Sequence, residues 1–206
     1  DWSSDVCSSD LRFTLAMADA TAALFLPVLA EALQREQAQV DLRVVSLTSR
    51  DPRPLLEQGE VDAALGFFPG VKTALEAEGE GALTRLEPLY GCRYQCVMRR
   101  DHPLAAEGAL TLAAYCEALH LRVNFAGRPQ GFVDEALAQR GLRRRVLITV
   151  SQFGTAGAMV HQSDLLTVLP RSYVPATGFA AGLAMRELPF ELPGIDVGLL
   201  WHRRHE

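Results

Sequence analysis

The sequence lacks the patterns by which most hydrolases, nucleotide-binding enzymes and metalloproteins are recognised. None of its five histidines, at positions 102, 120, 161, 202 and 205, falls in an HExxH or similar metal-binding spacing. There is no GxSxG turn for a nucleophilic serine and no GxxxxGK[ST] loop for a phosphate. We therefore predict a protein that is not an enzyme, with no catalytic residue, no metal and no cofactor.

Long apolar runs and an excess of basic charge are also missing. No run reaches the roughly 18 apolar residues of a membrane span, so no membrane partner is predicted. A basic segment followed by an apolar one, the pattern of a secretory signal, is not seen either. The formal net charge is −5, whereas a chain that grips nucleic acid by itself usually carries a basic excess. We expect these 206 residues alone to be a poor DNA binder.

Cysteines are few and carry no CxxC spacing. Cys92, Cys96 and Cys116 are scattered through apolar or mixed sequence. They are interpreted as reduced structural thiols of a cytosolic protein, which predicts a cytoplasmic location.

The first eleven residues, DWSSDVCSSDL, differ in character from the apolar, patterned sequence that follows. They resemble the in-frame translation of a sequencing-library adapter, and a natural disordered linker is the alternative. We expect residues 1–11 to be disordered and to take no part in fold or function. Without their three aspartates the net charge is −2.

The remaining chain alternates strand and helix patterns, which predicts an α/β fold with a mainly parallel sheet. Strands are predicted over 12–18, 40–47 and 61–68, and again over 121–125, 145–150 and 165–169. A helical run ends near Gln39, and Pro27 within it predicts an irregular first stretch. The two glycines of 72–82 indicate a loop, and 88–99 is predicted to be one long strand.

In α/β sheets, ligands bind where strands end and helix N-termini point their N–H groups outward. The first such place holds Asp19, Ala20 and Thr21, and the alternative is that Asp19 or Thr21 caps its own helix. Other strand ends supply polar anchors and aromatic walls for a small aromatic ligand, with ordinary core packing as the alternative for each Phe. The candidate effector-binding residues are Asp19, Ala20, Thr21, Thr48, Phe67, Phe68, Asn124, Phe125, Ser151, Gln152 and Phe153.

Four motifs then appear in order: AMADATAALFLPVLAEALQ, LLEQGEVDAALG, RRDHPLA and SDLLTVLP. Together they resemble the effector-binding domain of LysR-type transcriptional regulators, from about residue 12 to 206. The details RYQCVMRRDHP and LLWHRR are most similar to the branch of the nodulation and naphthalene/salicylate regulators.

The resemblance implies two α/β lobes of the type II periplasmic-binding-protein kind, joined by two crossover strands. Lobe I would comprise 12–93 plus 190–206, and lobe II would comprise 94–189. The crossovers would lie near 88–99 and 186–192. A small-molecule effector would bind in the cleft between the lobes.

The resemblance also implies partners that the composition does not show. Effector domains of this family form homodimers and homotetramers, which here would set the first helix and 40–47 against a helix near 154–161. Promoter DNA would be bound only by a winged helix-turn-helix that precedes this chain. The native gene is therefore expected to encode a DNA-binding domain upstream of Arg12. The alternative is a free-standing solute-binding protein of the same fold.

One position departs from the branch. Salicylate-responsive members are expected to carry a His just before the Phe of the motif at residue 153. Here the residue is Gln152, a neutral amide that cannot become cationic. The departure argues against salicylate and for a related aromatic or carboxylated effector.

Overall fold

The computed structural model describes residues 11–124 and 131–205, and its first half forms one lobe. A helix follows most of the strands, because the apolar patterning switches repeatedly between the strand and helix periods. The elements in chain order are β1 (Leu11–Met17), α1 (Asp19–Arg35), β2 (Val40–Ser46), α2 (Arg53–Gln58), β3 (Ala63–Phe67), α3 (Val71–Glu78) and β4 (Thr84–Cys92).

Leu11 is the first residue of β1 and lies opposite Val40, in register with the rest of the strand pair. Residues 1–11 are predicted to be disordered, and for Leu11 this prediction is wrong. The extended backbone of β1 therefore begins one residue earlier than the change in composition indicated. Residues 1–10 lie outside the described residues.

The second lobe is built from a further series of strands and helices. They are β5 (Tyr94–Arg99), α4 (Leu112–Glu117), β6 (Leu119–Val123), α5 (Phe132–Ala138), β7 (Arg145–Val150), α6 (Phe153–His161), β8 (Thr167–Pro170) and β9 (Leu183–Arg186). Strands β8, β5 and β9 pair antiparallel in that order, and β6 pairs parallel with β7. Backbone hydrogen bonds join Leu166 to Leu119 and Leu121, so the two small sheets form one layer.

The chain then returns to the first lobe as β10 (Ile195–His202). This strand lies antiparallel between β3 and β4, giving the five-stranded order β2-β1-β3-β10-β4. The chain thus crosses between the lobes twice, once from β4 to β5 and once from β9 to β10. The predicted two-lobed α/β fold of the type II periplasmic-binding-protein kind is confirmed.

The crossings are less regular than predicted. The single long strand expected over 88–99 is interrupted at Arg93, where β4 of one sheet gives way to β5 of the other. The return over 187–194 forms no strand. It contains Pro189 and Pro193, which have no backbone N–H to donate to a ladder.

Helix α1 is more regular than its sequence indicates. It runs without a break from Asp19 to Arg35 with Pro27 inside it, although proline in a helix costs about 3 kcal/mol. Apolar side chains at Ala22, Leu24 and Phe25 pack against the buried cores, and this packing offsets the cost. The helix ends before Gln37, whose φ of 51° lies in the left-handed region.

The loop predicted over 72–82 is wrong, because α3 occupies most of it. The letters KTALEAE are mostly good helix formers, and the glycines at 79 and 81 follow the helix rather than interrupt it. Val71 and Leu75 anchor α3 on the apolar core of the first lobe. No described helix is long and apolar enough to cross a membrane.

Candidate ligand-binding cleft

A cleft lies between the two lobes and is lined by residues of both. Its volume is about 830 Å³ when its open mouth is included. The first lobe contributes the N-terminus of α1, the loop after β2 and the end of β3. The second contributes β6, the start of α5, the start of α6 and the turn after β8. Among the described lining residues there are three arginines and no aspartate or glutamate.

Aromatic rings form much of the wall. Phe67, at the end of β3, lies 6.0 Å from Phe132, at the start of α5, measured between ring centroids. Tyr94, the first residue after the crossing, lies 6.4 Å from the same Phe132 ring. Deeper in the cleft, Phe153 and Tyr173 meet edge to face at 5.0 Å. These are ordinary aromatic contact distances, so the wall is apolar and close-packed.

Arg50 follows β2 and reaches across the cleft to the second lobe. Its guanidinium carbon lies 4.4 Å from the centroid of Phe132 and 5.9 Å from that of Phe67. Both are cation–π distances. Burial raises the pKa of the Tyr94 hydroxyl, and the charge and hydrogen bond of Arg50 offset part of that rise.

Asp51, the residue after Arg50, pairs with Arg53, whose Nε and Nη2 donate to its two carboxylate oxygens at 2.9 and 2.7 Å. The Arg53 pairing is bidentate, and it holds the pKa of Asp51 below its usual value.

The other two arginines share one carboxylate on the floor of the second lobe. Arg144, with only 3% of its side chain exposed, donates to Asp134 at 2.8 Å, and Arg122 lies 3.6 Å from the same side chain. Burial alone would favour protonated Asp134, but Arg144 holds the pKa of this carboxyl below its usual value. The cluster therefore keeps a net positive charge beside the cleft.

His120 lies behind this cluster and is fully buried. Burial and the charge of Arg144 lower the pKa of His120 to about 4. Its Nε2 lies 2.7 Å from the carbonyl oxygen of Tyr115, to which the neutral ring donates. The histidine therefore adds no charge to the cleft near neutral pH.

The predicted residues at the start of α1 have three different environments. The Asp19 carboxylate accepts hydrogen bonds from the backbone N–H groups of Phe153 and Gly154, at 3.1 and 2.9 Å. It thus caps α6 of the opposite lobe, a role the sequence did not suggest. Ala20 is buried in the core of the second lobe. Thr21 lines the cleft, and its hydroxyl lies 2.8 Å from that of Tyr173.

The other predicted residues divide between cleft, core and surface. Phe67 and Phe153 line the cleft, whereas Phe68 is buried in the core of the first lobe. The remaining ones do not line it: Thr48, Ser151 and Gln152 are exposed, and Asn124 donates its backbone N–H to Val150. Phe125 lies outside the described residues.

Several lining residues were not among the predicted ones: Arg50, Tyr94, Arg122, Phe132, Arg144 and Tyr173. One signal in the sequence pointed near them, because Arg50 follows the strand predicted over 40–47 by a few residues. Their convergence depends on the two crossings, which no local pattern specifies. In the part of the chain that the structure describes, no cluster of His, Cys, Asp and Glu has metal-binding geometry.

Comparison with known proteins gives consistent matches. The sequence matches the LysR substrate binding domain family over residues 9–206. The HTH-type transcriptional activators NagR of Ralstonia sp and NahR of Pseudomonas putida are 30% and 31% identical over 201 residues. A solved structure, a probable transcriptional regulator from Pseudomonas aeruginosa, is 33% identical with a TM-score of 0.80.

The matches cover nearly all of this chain but only part of the longer proteins. The alignments to NagR and NahR cover 98% of this chain and 64% of each relative. The alignment to the solved structure covers 95% of this chain and 62% of that one. These relatives are transcriptional regulators rather than enzymes.

Proposed function

The chain belongs to the LysR substrate binding domain family, and on that premise we propose that it is the effector-sensing part of a LysR-type bacterial transcription regulator. A small molecule binds in the cleft between the lobes and modulates DNA binding. The DNA is contacted by a winged helix-turn-helix that precedes this chain in the whole protein. The regulator works in the cytoplasm, where the promoter is.

The composition of the cleft is the observation that supports a chemical class for the effector. Three arginines and five aromatic rings line it, and no acidic side chain is among the described lining residues. Positive charge in a half-buried, apolar site favours an anion, since the local dielectric is lower than that of water. The rings favour a flat apolar body. A small aromatic carboxylate satisfies both requirements.

The position of the cleft supports a signalling role. Phe67 and Arg50 belong to one lobe, and Phe132 and Arg122 belong to the other. A molecule that contacts both sets has different affinities for different lobe arrangements. That difference in affinity is the only means by which a ligand can shift a conformational equilibrium.

We propose that the domain also pairs with a second copy, as the resemblance implies. Strand β2 is an edge of its sheet, and all seven of its residues are exposed or half-buried. Val28 of α1 is 67% exposed and Val44 of β2 is 37% exposed, so both elements present apolar side chains to the surface. These surfaces suit a homodimer contact through α1 and β2, and two such dimers give the homotetramer.

A thermal-shift screen of the 206-residue chain against aromatic and aliphatic acids tests the effector proposal. A ligand at 100 times its Kd stabilises the folded state by about 2.7 kcal/mol. For a domain of this size that corresponds to a Tm rise of about 5–10 °C. A well-folded sample that no acid stabilises contradicts an acidic effector.

The free-standing solute-binding protein remains the second candidate, and it differs in what precedes the domain. Reading the genomic sequence upstream of Arg12 separates the two. A helix-turn-helix pattern supports the regulator, and a secretory signal supports the solute-binding protein.

A further inference from the structure

We propose that the protein has a second anion-binding site, on the opposite face of the lobe crossing from the cleft. Arg93 and Arg171 form this site, and its ligand is a small oxyanion with two negative charges, such as phosphate. The site lies in a groove, here called the rear groove, whose lining includes Tyr90, Arg93, Gln95, Arg171, Ser172 and Glu187. Its ligand and its surface differ from those of the effector cleft, so it does not rest on the proposed function.

The two arginines face away from the cleft because of strand alternation. Tyr94 and Pro170 lie opposite each other in the β5–β8 pair, and both line the cleft. Arg93 and Arg171 are the next residues along, and the N–H of Arg171 donates to the carbonyl oxygen of Arg93 at 2.9 Å. Successive side chains of a strand point to opposite faces, so these two point to the rear groove, which both of them line.

Two positive charges are therefore placed side by side. Residues directly opposite each other in an antiparallel pair have Cβ atoms about 4.5–5.5 Å apart, and like charges there destabilise the pair. Within residues 11–124 and 131–205, neither guanidinium makes a hydrogen bond or an ion pair. A dianion between Arg93 and Arg171 replaces this repulsion with two ion pairs, and each planar guanidinium matches two of its oxygens.

The acidic side chains nearby do not supply this counter-charge. Glu187 lines the rear groove, but its carboxylate accepts a hydrogen bond from Gln95 Nε2 at 2.9 Å. Asp196 lies opposite Gly91 in the β4–β10 pair and does not line the groove. Glu191 lines an adjoining hollow along the return segment. The described lining of the rear groove thus holds two guanidiniums and one carboxylate, which leaves it positive.

Hydroxyl groups add neutral donors from both lobes. The hydroxyl of Tyr90, in β4 of the first lobe, donates to Ser172 Oγ of the second lobe at 3.5 Å. Ser172 Oγ in turn lies 3.5 Å from Cys92 Sγ. Both contacts are long for hydrogen bonds, so the two hydroxyls are free to turn toward an anion. An anion held there contacts both lobes beside the crossing and favours the lobe arrangement seen here.

Phosphate titrations followed by ¹H–¹⁵N NMR of the 206-residue chain test the site. The buffer is mildly alkaline, so that phosphate is mainly doubly charged, and sodium chloride holds the ionic strength constant. The backbone amide signals of Gly91, Cys92 and Ser172 are expected to shift and to saturate. Acetate, which carries one charge, is expected to bind at these amides at least tenfold more weakly.

Arg93→Gln and Arg171→Gln are each expected to weaken phosphate binding at least fivefold, because each removes one of the two guanidiniums. Arg171→Lys keeps the charge without the planar fork and should lose less. Arg100→Gln is the matched control, since it removes one positive charge from an exposed position that lines neither the cleft nor the rear groove. It is expected to bind phosphate as the wild type does. Far-UV circular dichroism confirms that each variant is folded, and either arginine variant alone decides the question if the other does not fold.

Four results would overturn the proposal. The first is that the three amides do not shift at millimolar phosphate. The second is equal phosphate affinity in the wild type and the two Gln variants. The third is that shifts are confined to cleft residues such as Thr21 and Phe153. The fourth is a loss in Arg100→Gln equal to that in Arg93→Gln, which shows a general charge effect. None of these results bears on effector binding in the cleft, so the acid screen still decides the proposed function.

Discussion

Removing the Asp19 carboxylate is expected to loosen the connection between the two lobes. This side chain starts α1 in the first lobe and accepts hydrogen bonds from Phe153 N and Gly154 N at the start of α6 in the second. Gln152, the N-cap residue of α6, makes no side-chain cap of its own. The aspartate is therefore the capping group of a helix that lies more than a hundred positions away in sequence.

The size of the effect follows from these two bonds. A hydrogen bond to a charged group contributes about 1.5–3 kcal/mol net, and loss of an N-cap costs about 0.5–2 kcal/mol. Because the two bonds share one half-buried carboxylate, Asp19→Ala is expected to lower the free energy of unfolding by about 2 kcal/mol. Asp19→Asn keeps one acceptor oxygen without the charge and should lose about 1 kcal/mol.

Urea denaturation followed by circular dichroism measures this loss. With an m-value of about 2 kcal/mol/M, Asp19→Ala shifts the midpoint down by about 1 M. Hydrogen exchange gives a local check, because the amides of Phe153 and Gly154 should lose protection first. Asp41→Asn is the control, since Asp41 is exposed and its ion pair with Arg12 is long, at 4.0 Å. An Asp19→Ala midpoint equal to that of Asp41→Asn would refute the reasoning.

Two further predictions concern the second lobe. A Cβ added at Gly157 would overlap Thr177 Cβ and come within 2.9 Å of its Cγ2, so Gly157→Ala should destabilise by about 1–3 kcal/mol. Gly81→Ala, where nothing lies within 4 Å, should leave the Tm almost unchanged, and equal Tm values for the two variants would contradict the packing. The folded-state pKa of His120, about 4, lies below its ordinary value of 6.5, so the unfolded chain binds the proton first as pH falls. The contribution of neutral His120 to the free energy of unfolding is therefore fully present above pH 6.5 and is lost as the pH falls toward 4. Urea midpoints of His120→Gln should fall less over that window than those of the wild type.

Much of the secondary structure could be predicted from short stretches. Helix α2 ends where Gly59 adopts a φ of 73°, and the strand–helix alternation gave most element positions to within a few residues. The wrong loop prediction at α3 has a local cause. The glycines at 79 and 81 follow the helix, and residues 72–78 are mostly good helix formers. The failure at Pro27 has a tertiary cause, because packing on the sheet overrides a local penalty.

The cleft was less accessible to sequence reasoning. Thr21 and Phe153 follow strand ends and Phe67 is the last residue of β3, and a general rule about α/β sheets pointed to all three. Thr48 and Gln152 satisfy the same rule and are exposed. Whether a strand-end side chain faces the cleft or the solvent depends on the orientation of its lobe, and strand-end position alone does not carry that information.

By itself, the sequence determined the α/β class, the family and the order of the elements, because these depend on local periodicity and on motifs that are contiguous in the chain. Only the tertiary structure decided that Asp19 caps α6 and that Arg50 stands over Phe132. Each pair joins residues of different lobes, and their distance is fixed by two chain crossings and the packing of two sheets. Such long-range contacts leave no periodic signal in either of the segments that make them.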